Sequence, residues 1–239
     1  MKKLIRKLLL HLPINLNQNI TYDRQAKAVL RKTTHQSSSC VDVGCHKGEI
    51  LDLFLEYCPY GHHLGFEPIP HFYQNLQTKY GRRAQIKEIC LSDKEGKVNF
   101  HLVKTNPAYS GILKRKYDRP NEEVEIIEVK TNTLDNSIEG FPHSIDFIKI
   151  DVEGAEYKVL KGAVATLQKH RPVVVFEFGL GAADVYGTSP EMMYNFFQKL
   201  NYKISLLELF LKNENSLSPD EFASEFQSGK NYYFVAWPE

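Results

Sequence analysis

The sequence predicts an α/β fold built on a mostly parallel, doubly wound sheet. Three observations carry this. From Cys40 onward, short apolar segments alternate with amphipathic helical ones, the pattern of βαβ units. Val173–Phe176 is continuously apolar, as a strand must be when helices cover both faces of its sheet. Several of these segments also run straight into glycine or acidic turns, and open α/β sheets bind their ligands outside such strand ends. With 239 residues, 42% of them hydrophobic, the chain is long enough for one large domain with a substantial core.

The elements follow in order. Cys40–Val43 is a short strand and Glu49–Tyr57 a helix, with Ile50, Leu53, Phe54 and Tyr57 expected to face inward. His63–Phe66 is the second strand, Ile69–Tyr80 the second helix, and Ala84–Leu91 the third strand. The rhythm then changes. Val98–Val103 and Val124–Thr131 read as strands with no helix between them, joined by the polar stretch 104–121 with its Tyr109-Ser110-Gly111. A connection this long predicts an inserted hairpin or lid. Alternation resumes with strand Phe147–Ile150 and helix Ala155–Lys169, whose inward stripe is Val159, Leu160, Ala163 and Leu167. Arg171-Pro172 stops that helix. Strand Val173–Phe176, helix Pro190–Leu200, strand Tyr202–Leu207, helix Pro219–Phe226 and strand Tyr232–Ala236 complete the chain. The last two strands, joined through a longer excursion, suit an antiparallel edge.

The first residues, MKKLIRKLLLHLP, place Leu4, Ile5, Leu8, Leu9 and Leu12 on one helical face, opposite Lys2, Lys3, Arg6 and Lys7. Arg6 and Lys7 interrupt the apolar run, no small-residue cleavage site follows, and the run is too short to span a bilayer. The segment is therefore read as a short basic amphipathic helix, suited to packing on the domain edge or to peripheral contact with a membrane surface. The division expected is a helical extension over residues 1–38 and a main domain over 39–239. A formal net charge of +1 and the lack of a basic run give no global field for nucleic acid. Cys40, Cys45, Cys58 and Cys90 form no CxxC pair, which favours a reducing, cytoplasmic setting over a disulfide or zinc framework.

Five motifs carry chemistry. Asp42 to Gly48 (DVGCHKG) is a strand, a turn with a glycine at each end, and a helix start. Gly44 is expected to let the backbone approach a ligand, and the helix start to offer N–H groups to an anion. The GxxxG spacing departs from the GxGxxG of dinucleotide sites, so a carboxylate-bearing adenosine cofactor suits it better than a pyrophosphate. Glu67-Pro68 ends the second strand, where an acid can accept from both ribose hydroxyls. Ser92-Asp93 ends the third, where an adenine edge would lie, although Ser-Asp also makes a good turn. In the fourth motif, Lys149 and Asp151 are two apart and share a face of their strand, and a buried lysine needs such a partner. Glu153 and Glu156 flank the following helix start, Glu156 chiefly as a helix charge. Glu177 ends the neighbouring apolar strand, where burial and a nearby like charge would raise its pKa and make it a base.

Taken together, VDVGCHKG, FEPIP, LSDKEGKVNF, YSGILKR, Thr133–Asp135, IDFIKIDVEGAEYKVLKGA, RPVVVFEFG and NYYFVAW resemble the FkbM family of S-adenosylmethionine-dependent methyltransferases, from about Cys40 to Trp237. The resemblance implies a seven-stranded, Rossmann-like class I methyltransferase fold with S-adenosylmethionine at the ends of the first three strands. It also implies methyl transfer, usually to a hydroxyl of a sugar or natural product. Where this chain has His46, the family's first motif often has asparagine. The expected cofactor residues are Asp42, Gly44, His46, Gly48, Glu67, Pro68, Ser92 and Asp93. For the chemistry, Asp151 or Glu177 would take the acceptor's proton, Lys149 would orient Asp151, and His46 would be a competing base. A divalent ion on Asp151, Glu153 and Glu177 is the lesser alternative, since no further ligand is evident and no resident metal is expected. Two other classes stay open at this level: an NAD(P)-binding oxidoreductase, and a non-catalytic cofactor-binding protein of a glycan assembly system.

Overall fold

The computed structural model describes residues 18–117 and 119–239. The amphipathic segment Met1–Pro13 lies outside the described residues. Helix α1 (Gln18–Thr33) is followed by β1 (Cys40–Val43), α2 (Glu49–Tyr57), β2 (His63–Phe66), α3 (Pro70–Tyr80) and β3 (Ala84–Lys87). Next come β4 (Cys90–Leu91), β5 (Gly96–Val103), β6 (Val124–Asn132), α4 (Leu134–Ser137) and β7 (Phe147–Ile150). The chain ends with α5 (Glu156–Lys161), α6 (Val164–His170), β8 (Val173–Glu177), α7 (Pro190–Lys199), β9 (Tyr202–Leu206), α8 (Leu207–Leu211), α9 (Pro219–Ser228) and β10 (Tyr233–Pro238).

Seven strands form the main sheet in the order β3-β2-β1-β7-β8-β10-β9. Pairing is parallel from β3 through β8, whereas β10 is antiparallel to both β8 and β9. The last two strands form the expected antiparallel edge: β10 inserts between β8 and β9, so β9 is outermost. Strand order reverses between β1 and β7, and the carboxyl ends there define the crevice. One face of the sheet carries Val41, Ile148, Ile150, Val174 and Phe176 against α5, α6, α7 and α9. The other carries Cys40, Phe147, Val175 and Val235 against α1, α2 and α3, with Tyr22, Ala26, Val29 and Leu30 of α1 in this layer. Asp42 is in register with Lys149, and Glu177 with Tyr233, so these polar groups continue the α1-covered face toward the strand ends.

Three local expectations are corrected. In α2 the fully buried residues are Leu51 and Phe54, while Ile50, Leu53 and Tyr57 are only partly buried. The strand expected over Ala84–Leu91 is two: β3 closes the main sheet, and β4 joins β5 and β6 in a separate three-stranded sheet. The helix expected over Ala155–Lys169 breaks into α5 and α6 at Gly162, where a Cβ would lie 2.2 Å from the Ser92 carbonyl oxygen. The expected stripe of Val159, Leu160, Ala163 and Leu167 is buried as read. The β5–β6 hairpin and its connection form the expected insert. No helix among the described residues is long and apolar enough to cross a membrane.

Candidate active site

At the β1–β7 crevice lies a cavity of about 680 Å³, lined on one side by Gly44–Lys47, Glu67, Pro68 and Ile69, and on the other by Lys149, Asp151, Glu177 and Tyr233. Its volume falls within the usual range for small-ligand sites.

The first side is built by the β1 turn. Gly44 has φ +84°, and a Cβ there would sit 2.0 Å from the Asp151 carbonyl oxygen. The glycine is therefore required by the close approach of β1 to the end of β7. Gly48 lies outside the cavity lining: a Cβ there would lie 2.2 Å from Tyr80 Oη, which donates to the Gly48 carbonyl. Within the turn that precedes α2, most N–H groups are used by the protein itself. The N–H groups of Gly44 and Cys45 donate to Phe66 O, that of His46 to Glu67 Oε2 at 2.7 Å, and that of Gly48 to Cys45 O.

Glu67 is buried and accepts from the backbone of both His46 and Ile69, at 2.7 and 2.9 Å. Burial pushes its carboxyl up to about 7 against those two bonds. Each oxygen keeps a second lone pair for a ligand hydroxyl. His46 packs edge-on against Phe72, and its Nε2 is buried without a partner among the described residues. Burial, then the charge of Lys47, lowers its pKa, so the ring is neutral at neutral pH. Asp42 is also buried with Oδ2 unpartnered, and burial pushes it up to about 7 against the pull of Lys149. It lies just beneath the cavity rather than on its lining. Ser92 and Asp93 lie outside the lining as well; Asp93 is held by Lys161 at 2.6 Å, so the turn reading describes them better. The apolar wall here comes instead from Ile69, Ile89, Leu91 and Phe100.

The second side is an ordered charge cluster. Lys149 is 4% exposed and donates to Asp151 Oδ2 at 3.0 Å and to Tyr233 Oη at 3.2 Å. Its ammonium also sits 4.6 Å from the centre of the Tyr233 ring. Tyr233 Oη in turn donates to Asp151 Oδ2. Burial and the charge of Asp151 hold Glu177 well above the usual carboxylate range, so it keeps its proton and hydrogen-bonds to Asp151. For Asp151 itself, burial is outweighed by the charge of Lys149 and the bonds from Glu177, Tyr233 and Lys149, and its pKa falls well below the usual range. The pair thus holds one proton, on Glu177. Asp151, Glu153 and Glu177 do gather, with one oxygen each within 4.8 Å of the others. Each is already compensated: Asp151 by Lys149, Glu153 by Arg115, and Glu177 by its proton.

The turn that aims these groups is held by Glu156, which is buried and whose Oε1 accepts from Val152 N at 3.0 Å and Gly154 N at 3.1 Å. It is more than a helix charge. Burial pushes it up to about 7, whereas an unfolded glutamate titrates near about 4.3. Between those values the folded protein holds a proton that the unfolded chain has lost, so stability falls as pH rises through this window. Glu156→Gln keeps the Oε1 acceptor and removes the titration. Its melting temperature relative to wild type is expected to rise from pH 5 to pH 8, by the equivalent of up to about 3 kcal/mol. A difference that stays constant over this range contradicts the assignment.

The insert roofs the cavity. Pro107–Ser110, Ile112, Arg115 and Lys116 line it, Arg115 pairs with Glu153, and Tyr186 Oη accepts from Leu113 N at 3.0 Å. Tyr22, Arg115 and Tyr233 escaped the sequence reading. YSGILKR and NYYFVAW were visible as motifs, but nothing local links them to Asp151 or Glu153.

A glycine turn on the first strand, an acid on the second, a charged acceptor side beyond the switch point, and an antiparallel strand inserted near the sheet edge define a methyltransferase of the S-adenosylmethionine-dependent class. The model of the methyltransferase FkbM domain matches residues 42–204. The chain belongs to this FkbM family, its cofactor is S-adenosylmethionine, and the oxidoreductase alternative is set aside. The 2-O-methyltransferase NoeI of Sinorhizobium fredii is 30% identical over 144 residues, which is 55% of this chain and 59% of that protein. The match therefore spans less than two thirds of that relative. Methyltransferase FkbM from Methylobacillus flagellatus shares the fold, with a TM-score of 0.54 at 17% identity over 85% of this chain and 44% of that one.

Proposed function

We propose that this methyltransferase acts on oxygen, transferring a methyl group to a hydroxyl of a sugar, glycan or related natural product. The observation that carries the reading is the acceptor end of the cavity, where an ionised Asp151 stands beside a Glu177 that keeps its proton. The similarity to a 2-O-methyltransferase supports it. When bound, S-adenosylmethionine supplies a methyl group activated as a sulfonium. The residues present fit it: Glu67 has lone pairs for ribose hydroxyls, Ile69, Ile89 and Leu91 offer an apolar slot for adenine, and His46 lines the same side.

The chain's own residues then act on the acceptor. As its oxygen bonds to the methyl carbon, the hydroxyl proton becomes far more acidic than a carboxylic acid. A carboxylate with a depressed pKa can therefore take that proton, and Asp151 is ionised throughout the working pH range. Glu177 already carries a proton, so it holds Asp151 by a hydrogen bond and does not act as the base. Lys149 and Tyr233 position Asp151 from the other side, and alignment of this kind supplies much of the rate gain. His46 belongs to the cofactor side in this scheme. The four free cysteines suit a reducing, cytoplasmic setting.

The test is transfer of labelled methyl from S-adenosylmethionine across matched panels of glycosides, lipid-linked glycans, phenols and amines. Label is expected on glycosides or glycans. Label on amines alone, or on no acceptor although S-adenosylhomocysteine binds, overturns the reading.

A further inference from the structure

The second side of the cavity continues past Tyr233 into a wall made by two segments outside the family-matched region 42–204: the start of α1 and residues 229–233. Asn19, Tyr22, Asp23 and Ala26 line it from α1, with Gly229, Tyr232 and Tyr233 beside them. The two segments are tied together. Tyr22 Oη accepts from Gln18 Nε2 at 2.9 Å and from Tyr232 N at 3.3 Å, and donates to Asn231 Oδ1 at 3.0 Å. Tyr232 Oη donates to Asn19 Oδ1. The Tyr22 ring stacks on Tyr233 at 5.0 Å and meets Tyr232 edge-on at 4.8 Å. The wall therefore runs unbroken from α1 to the tyrosine that holds Asp151. Across the cavity, Arg115 lies over Tyr109, and its Nε is buried without a partner among the described residues.

We infer that this wall is the acceptor subsite and that it takes a pyranose ring, an inference that rests on the O-methylation reading above. Phenol rings flanked by amide and carboxylate side chains match the two surfaces of a sugar. Its C–H face packs on Tyr232, the partly exposed ring of the wall, and its hydroxyls bond to Asn19 and Asp23. A flat aromatic or polyketide acceptor would call for a slot lined mainly by apolar side chains. Helix α1 lies outside both the matched region and the motifs that carry the family resemblance, so its side of the wall sets which sugar this chain accepts while the charge cluster does the chemistry.

The experiment has two arms. In the first, wild type saturated with S-adenosylhomocysteine is screened on an array of mono- to tetrasaccharide glycosides, alongside Tyr232→Ala and Tyr232→Phe. Wild type is expected to retain a subset of glycosides, Tyr232→Ala to lose at least about tenfold in affinity for them, and Tyr232→Phe to keep most of it. S-adenosylhomocysteine affinity should be the same in all three. In the second arm, methyl transfer to the retained glycosides is measured, and the loss in Tyr232→Ala should fall on KM. Glycoside binding that survives Tyr232→Ala, a parallel loss of S-adenosylhomocysteine, or no glycoside binding by wild type overturns the subsite. Glycosides bound at this wall but never methylated would leave the subsite standing and overturn O-methylation instead.

Discussion

Asp151→Asn is expected to lower kcat by about 10²–10⁴-fold while S-adenosylhomocysteine binding is kept. The substitution removes the carboxylate proposed to take the proton and leaves the β7 backbone in place. It should cost little stability. Burial is the largest cause of the raised Glu177 pKa and stays, but the Asp151 charge, the next largest, is gone, so that pKa falls and Lys149 draws Glu177 toward the role of its counter-ion. The pH profile separates Asp151 from His46 as base. The Asp151 pKa lies well below the usual carboxylate range, so the wild-type rate should have no acid limb near pH 6. If His46 took the proton, the rate would fall as the imidazole is protonated, and His46→Asn would lose the activity that Asp151→Asn keeps.

The second large effect is on stability. Lys149→Met is expected to cost about 3–5 kcal/mol near pH 8, the usual penalty for removing one partner of a buried ion pair. Asp42, Asp151 and Glu177 all draw on this one ammonium. In wild type the depressed pKa of Asp151 contributes stability that is present above the unfolded aspartate value of about 3.9 and lost only as pH falls through the folded value. Without Lys149 that pKa rises, so the variant's carboxyls protonate sooner and its disadvantage shrinks in acid. Melting temperatures of the two proteins should therefore converge from pH 8 to pH 5. A gap that stays constant with pH would mean Lys149 acts through packing alone.

How much of this was legible follows from what each residue's role depends on. Strand β7 and its acids were readable because the signal is local: an apolar run with one lysine, then three acids around a glycine. Glu67 was readable for the same reason. The break at Gly162 was not, and the contact that demands a glycine there is with the Ser92 carbonyl, about seventy residues earlier in the chain. The division of Ala84–Leu91 depends on pairing with β6, which no local periodicity reveals. Tyr233 reaches Asp151 only because β10 inserts antiparallel beside β8 and sets Tyr233 against Glu177. The glycine turn was found for a reason the structure revises: Gly44 is needed for the approach of β7, and most of the N–H groups around it are used within the protein. In each case, what the reading lacked was a contact between residues distant in sequence.

The central claim is that an acceptor oxygen beside Asp151 receives the methyl group. Its most direct test is the linkage in the product, made by wild-type enzyme from ¹³C-methyl-labelled donor and a glycan acceptor and read by NMR and mass spectrometry. A methyl ether on one defined sugar hydroxyl, absent with Asp151→Asn, is the predicted result. A methyl group on nitrogen or carbon, or ether formation undiminished by Asp151→Asn, would contradict it.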